Sequence, residues 1–493
     1  MCVDTHYMSS GVRSALYTPM PMIHVRVATT ALRQVARMEE LAEVARERAR
    51  QLGRPILVSV TAPVAPDDPL ALFARAAGAT HNRFFWSRPS DGLAVAGLGS
   101  AWDIAAGGEG RFVSTAAAWR DLVGTACVDA DPSLPFAGPV AAAGFAFDPL
   151  RPPSGLWADF PDGLLFLPRM LLARQGDVAS LTFNGLVGPE TSSVNLYLSA
   201  TRRLRDLIGG PWRAARPAEG LPIEEAMPAS AWRGIVADAV ADLRAGTMEK
   251  VVLAREVRLH ANANLDIPAA LESLRRDYPD TFVFAVARGG RAFLGASPER
   301  LVSLRGGVVS ASGLAGSIAR GTTSEEDERL GQELLSSAKD RMEHAVVVGM
   351  IHAALADLCT DIVAPAEPTL MKVRNIQHLF TPVTGRITGE RSALDLVAAL
   401  HPTPAVGGKP RDVALEWIRA HERLDRGWYA GPVGWLDAKG EGEFAVALRS
   451  ALVSKREAAL FAGCGIVSGS DPAREEQETQ LKLRPMLSAL GGA

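Results

Sequence analysis

The chain has 493 residues, is 47% hydrophobic and 22% charged, and carries a formal net charge of −3. This composition suits a soluble globular protein with a large core, and length alone suggests about three domains. With no basic tract and no run near ~18 apolar residues, neither nucleic acid nor a membrane is an expected partner. Cys2, Cys127, Cys359 and Cys464 are scattered without CxxC spacing. That pattern fits a reducing cytoplasm rather than a disulfide frame or a zinc site.

Residues 1–30 lack the apolar core of a signal peptide and read as a leader or a first edge strand. Residues 31–52 form a charged helix with Glu/Arg at i,i+4 spacing. Up to about residue 206 the pattern turns to short apolar strands, among them ILVSVTAP, RFFWSRP, GLLFLPRMLLARQG and VASLTFNGLV. Their Gly and Pro punctuation predicts a large, mostly antiparallel sheet. The Pro/Gly/Ala-rich residues 209–229 connect this half, 31–229, to a second half, 230–493.

The second half opens on an amphipathic helix marked by Trp232, Ile235, Val236, Ala239, Val240 and Leu243. A strand from Lys250, a helix over 268–278 and two strands joined at Gly289–Gly290 follow. A long helix runs over about 324–358, with a break near Ser336–Ser337. Next come the strands LMKVRNIQHLF and VTGRIT, a helix over 392–400, an irregular loop over 401–411 and a helix over 412–422. The strands YAGPVGWLD, GEFAVALRSALV and ALFAGCGIV precede the last helix. That helix starts after a glycine turn at 463–470, with Asp471 as N-cap and Pro472 at its first position.

Several residues can carry chemistry. Glu475, Glu478 and Lys482, spaced i, i+3, i+7, share one face of the last helix. Alone they read as a solvated face with a Glu478–Lys482 pair. Asp340 and Glu343 on the long helix would add two carboxylates, and hard oxygen ligands of this kind suit Mg²⁺. Lys250 is either a solvated strand-start lysine or a base whose pKa burial depresses. Glu299 either pairs with Arg300 or acts as a general acid. Arg449 interrupts the apolar strand FAVALRSALV and calls for a carboxylate. The turn Gly463-Cys464-Gly465 would let backbone N–H groups approach an anion. His378 is by default a satisfied core histidine.

Taken together and in order, KVVLAR, GASPERL, SGLAGSIARG, KDRMEH, QHL, LHPTPAVGGKPR, YAG, ALRSALV and GCGIVSGSDPAREEQETQLKL resemble the chorismate-utilising enzymes. This family includes isochorismate, salicylate, anthranilate and aminodeoxychorismate synthases. The resemblance is strong over about 230–490; residues 1–230 share only the strand-rich character. It implies an α+β unit of two large packed antiparallel β-sheets ringed by helices, with chorismate as substrate and Mg²⁺ as cofactor. By position Glu343 and Glu478 resemble the metal ligands, with Asp340 and Glu475 supporting them. Asp340 is shorter than the glutamate of some members, which implies a water-mediated role. Arg449 and Tyr429 resemble the groups that hold the pyruvyl carboxylate. Gly463, Gly465 and Lys482 resemble those at the ring carboxylate, and Gly316 approaches the ring by its backbone. His378 and Ala405 fall among the substrate-binding positions.

Three positions sort the subfamily. Lys250 matches the lysine that activates water in members that add hydroxide at C2. Ala315 stands where aminodeoxychorismate synthases carry a lysine, and Ala405 matches isochorismate synthases rather than the threonine of salicylate synthases. The implied activity is therefore isochorismate synthesis, with Lys250 as base and Glu299 as acid, feeding menaquinone or a siderophore. Salicylate synthesis is the alternative, and no glutaminase subunit is expected. GSIARG departs from the commoner GTRPRG.

Overall fold

The structure, a computed structural model, describes residues 22–152, 154–191, 212, 214 and 219–492, with side chains in the first helix from residue 37. Residues 1–21 of the expected leader and most of 209–218 in the expected connection lie outside the described residues. The first helix, Met22–Leu52, takes in residues 22–30. Met38, Ala42, Ala45 and Ala49, at helical spacing, are its buried stripe.

Among the described residues two sheets form, of thirteen and ten strands. Both draw on the chain before and after residue 230, so the length-based count of about three domains gives way to two continuous sheets. The first sheet contains a block of five strands, in the order Lys250–His260, Glu457–Ile466, Ser450–Ser454, Arg291–Ser297, Phe282–Arg288. It continues through Arg83–Arg88, Leu93–Leu98, Met170–Gln175, Val178–Val187 and Ile56–Val64. The second five repeat the first in reverse, so the two halves share one topology about the junction of Phe282–Arg288 with Arg83–Arg88. In the second sheet, Arg300–Arg305, Gly442–Val446 and Pro432–Asp437 meet Val140–Phe145, Gly163–Leu167 and Trp102–Ala106 in the same manner. Pairing is antiparallel apart from Ile56–Val64 with Cys127–Asp129.

The strands alternate, but both of their faces are buried. Ile56, Val58 and Val60 join one apolar cluster with the first helix, while Leu57 joins the cluster that includes Phe145 and Phe166 of the second sheet. Where the sequence reads GLLFLPRMLLARQG as one strand, the chain leaves one sheet after Leu167 and enters the other at Met170. Pro168 lacks the N–H that would continue the ladder. The long helix breaks as expected, into Ser324–Ser336 and Ala338–Leu355, because Ser337 is extended and caps the second with its side chain. Thr369–Lys372 and Ile376–Ile387 pair as a hairpin, so LMKVRNIQHLF is two strands, and VTGRIT continues the second. Among the described residues no helix is long and apolar enough to cross a membrane, and Cys127, Cys359 and Cys464 are buried and unpaired.

Candidate active site

A cleft opens where the C-terminal half changes sheets. Arg291–Ser297 lies in the first sheet and Arg300–Arg305 in the second, so Pro298 and Glu299 form one crossing. Gly442–Val446 lies in the second sheet and Ser450–Ser454 in the first, so residues 447–449 form another. Arg449 is therefore not inside a strand; it sits at the crossing with φ 49°. The crossings are stitched together. The Val446 N–H donates to the Glu299 carbonyl at 3.1 Å, and the Ala296 N–H donates to the Arg449 carbonyl at 3.1 Å. Arg300 turns away to Glu443, Nε to Oε1 at 3.0 Å, so Glu299 does not pair with it. The Glu299 side chain, only 3% exposed as a residue, is left facing the cleft.

Lys250 begins its strand and is 6% exposed, not solvated. Its strand pairs with Glu457–Ile466 in the register Val252↔Gly465, Ala254↔Gly463. The Gly463-Cys464-Gly465 stretch is thus strand rather than the expected turn, which comes later, at 467–470. Close approach explains the glycines. A Cβ at Gly465 would stand 2.7 Å from Lys250 Cε, and one at Gly463 would stand 3.1 Å from the Tyr429 hydroxyl. The thinned strand leaves room for both side chains to reach over it.

Two helices bring the carboxylates. Ala338–Leu355 carries Asp340 and Glu343, and Pro472–Leu490 carries Glu475, Glu478 and Lys482. Asp471 caps the latter by accepting from the Ala473 and Arg474 N–H groups, and Pro472 occupies its first position. Lys482 Nζ lies 2.5 Å from Glu478 Oε1 and 3.0 Å from the Gly463 carbonyl oxygen. That pair is the one the sequence suggests, but it lines the cleft instead of a solvated face. Lys250 Nζ is 3.8 Å from Glu343 Oε2, and Asp340 accepts from the Ser337 hydroxyl.

Among the described residues no group of three His, Cys, Asp or Glu stands ready to hold a metal ion. The donors nonetheless fit Mg²⁺, which takes one or two direct carboxylates and fills its shell with water and substrate oxygens. Crowding of like charges supports this: burial raises the pKa of Glu343, and Asp340 and Glu478 raise it further. Burial and then Glu478 do the same to Glu475.

Gly316 has φ +75° at a bulge between Ala315 and Ser317, and a Cβ there would come within 3.2 Å of Asp340 Cβ. His378 is buried; its Nδ1 lies 2.8 Å from Ser317 Oγ, and its Nε2 has no partner. All fourteen site residues expected from the sequence line this one cleft, Ala405 and Tyr429 among them. Ser317, Lys339 and Arg426 also line it and were missed. Arg426 lies in the polar stretch RLDRG, which carries no sign that its side chain is buried.

Burial sets the charge states. It pushes the Lys250 ammonium down toward the neutral amine, opposed by Glu343 and reinforced by Lys482. It pushes the Glu299 carboxyl up to about 8, opposed first by Lys250. Burial keeps His378 well below its ordinary value and Tyr429 above its own. The cleft therefore places a weakened ammonium and a protonated carboxyl among cations suited to an anionic molecule.

A family described as "Chorismate binding enzyme" matches residues 41–491. The isochorismate synthase MenF of Bacillus subtilis is 38% identical over 456 residues, which is 90% of this chain and 96% of that protein. The salicylate biosynthesis isochorismate synthase of Pseudomonas aeruginosa is 41% identical over 456 residues, 90% of this chain and 93% of that one. Among solved structures, MenF, the menaquinone-specific isochorismate synthase from Escherichia coli, is similar with a TM-score of 0.74 at 26% identity. The likeness covers 91% of this chain and 100% of that one.

Proposed function

We infer that this chain, which belongs to the chorismate binding enzyme family, is an isochorismate synthase. The observation that carries the mechanism is the pairing, in one cleft, of buried Lys250 and buried Glu299 with pKa values displaced in opposite senses. Lys250, as the neutral amine, takes a proton from water as its oxygen bonds to C2 of chorismate. The ring double bonds shift, the C4–O bond breaks, and Glu299 gives its proton to the hydroxyl, which leaves as water. One water enters and one leaves, so the net change is an isomerisation, and exchange of the two groups' roles runs it backwards.

Arg449 and Tyr429 hold the pyruvyl carboxylate in this reading. Lys482, with the backbone at Gly463 and Gly465, holds the ring carboxylate region, and Gly316, His378 and Ala405 border the ring. Glu343 and Glu478 are the residues that would hold Mg²⁺, supported by Asp340 and Glu475. When bound, Mg²⁺ supplies positive charge for the ring carboxylate. Residues 31–229 serve as the strand-rich half and 230–493 as the chorismate-binding half of one unit. The product feeds menaquinone or a siderophore; of the relatives, the Escherichia coli structure is named as menaquinone-specific and the Pseudomonas aeruginosa enzyme as serving salicylate biosynthesis. A cytoplasmic enzyme that needs no glutaminase completes the reading.

The test is purified protein with chorismate and Mg²⁺, its products separated by chromatography. Isochorismate alone, lost with EDTA and with Lys250→Ala, is the expected result. Salicylate with pyruvate would identify a synthase that continues to pyruvate release, against the indication of Ala405. Unchanged chorismate would sink the reading.

A further inference from the structure

Arg426 lines the cleft but has no part in the steps above. It is 4% exposed, and its hydrogen bonds run to the scaffold. Nε and Nη2 donate to Glu422 Oε1 and Oε2 at 2.7 and 2.5 Å. Nη2 also donates to the Val252 carbonyl at 2.7 Å, and Nη1 donates to the Val406 carbonyl at 3.0 Å. Glu422, 3% exposed, accepts from the Ala254 N–H at 2.8 Å.

These bonds fill a gap in a sheet. On the side away from Glu457–Ile466, the Lys250 strand pairs with Gly408–Lys409 only at Lys250 and Val251. Beyond that, the Val252 N–H reaches the Gly407 carbonyl at 3.0 Å. The Val252 carbonyl and the Ala254 N–H are then taken by side chains, Arg426 and Glu422. Val252 is two residues from Lys250, and Val406 is next to Ala405. One guanidinium thus joins the strand that carries the base to the loop that borders the ring, while Glu422 neutralises its charge.

We propose that Arg426, held by Glu422, is a positioning residue whose two-pronged grip on Val252 and Val406 sets where Lys250 stands relative to the substrate ring. The inference rests on the reading of this cleft as the site of chorismate isomerisation. Its effect falls on the chemical step, because the guanidinium itself hydrogen-bonds Glu422 and the Val252 and Val406 carbonyls and none of the groups assigned to the substrate carboxylates.

Arg426→Lys keeps a cation beside Glu422 but lacks the planar fork that spans both carbonyls. The expected result is a kcat about 10- to 100-fold lower, with the chorismate KM within about threefold of the parent. Since disturbing a buried ion pair can unfold a protein, a second variant replaces both partners, Glu422→Gln with Arg426→Gln. It leaves no uncompensated charge and no fork. The same loss confined to kcat is expected, with folding verified by circular dichroism and thermal melting. A folded variant with parental kcat, or with a raised KM and intact kcat, overturns the inference. Failure of both variants to fold also overturns it, since it would make the pair purely structural. A parent protein inert toward chorismate would instead overturn the reading of the cleft, so the two failures are distinguishable.

Discussion

Setting aside the short strands Cys127–Asp129 and Gly408–Lys409, which also join the first sheet, the N-terminal half passes from the first sheet to the second at residues 99–101 and returns at 168–169; the C-terminal half passes at 298–299 and returns at 447–449. The two seams share a register. Phe84↔Gly97, Gly97↔Leu171, Leu171↔Thr182 and Thr182↔Thr61 on one side match Phe284↔Gly295, Gly295↔Ser450, Ser450↔Phe461 and Phe461↔Glu256 on the other. Counted along these strands, Gly463 falls on Asn184, Gly465 on Leu186 and Lys250 on Pro55. The Asn184 amide donates to the Pro168 carbonyl at 2.8 Å, so the first seam is filled where the second is open. Topology makes a seam in both halves, and side-chain choice turns one of them into an open cleft lined by Lys250, Glu299 and Arg449. A closed seam satisfies its own groups. The open one keeps Lys250, Glu299 and Arg449 away from water, a cost that an anionic ligand in the cleft would offset.

The largest effect should come from removing the chemistry that distinguishes the open seam. Lys250→Ala and Glu299→Gln should each lower the rate of isochorismate formation by about 10²–10⁴-fold, measured by chromatography with saturating Mg²⁺. Copying the closed seam into the open one comes next. Gly465→Leu, the residue at the matching position, places atoms where Lys250 Cε now lies. It should cost about 100-fold or more in kcat/KM, with the far-ultraviolet circular dichroism unchanged. Parental activity in this variant would break the comparison.

A pH profile should sharpen it further. Glu299 must be protonated to act as the acid, and burial raises its pKa to about 8. Activity should therefore fall about tenfold per unit as pH rises beyond it, and should fall on the acid side as well, where Lys250 takes up its proton. A profile flat through pH 9 would exclude Glu299 as the acid. The smallest effect on catalysis belongs to the closed seam. Asn184→Ala removes its amide bond and should destabilise the fold by about 1–3 kcal/mol in urea titration, with kcat per folded molecule unchanged.

Much of this was legible because it is local. The last helix starts at its Asp-Pro cap, the break at Ser337 follows from a capping serine, and Gly289–Gly290 closes its hairpin. The motifs in their order pointed to the family, and all fourteen residues drawn from them meet in one cleft. What misled was reading along one strand at a time. FAVALRSALV and GLLFLPRMLLARQG are apolar throughout, because each passes from one buried sheet to another without leaving the core. Gly463 and Gly465 read as a turn, because a residue without a side chain serves equally to bend a chain and to thin a strand.

By itself, then, the sequence determined many of the elements with their caps, the family, and a set of side chains that meet in one cleft. These follow from neighbours within a few positions and from motif order. Tertiary structure alone decided that two strands part company at Arg449, that Glu299 faces the cleft while Arg300 turns to Glu443, and that Arg426 grips Val252 and Val406. Each of these depends on a partner tens to hundreds of residues away, and only packing two sheets against each other brings such partners within hydrogen-bonding distance.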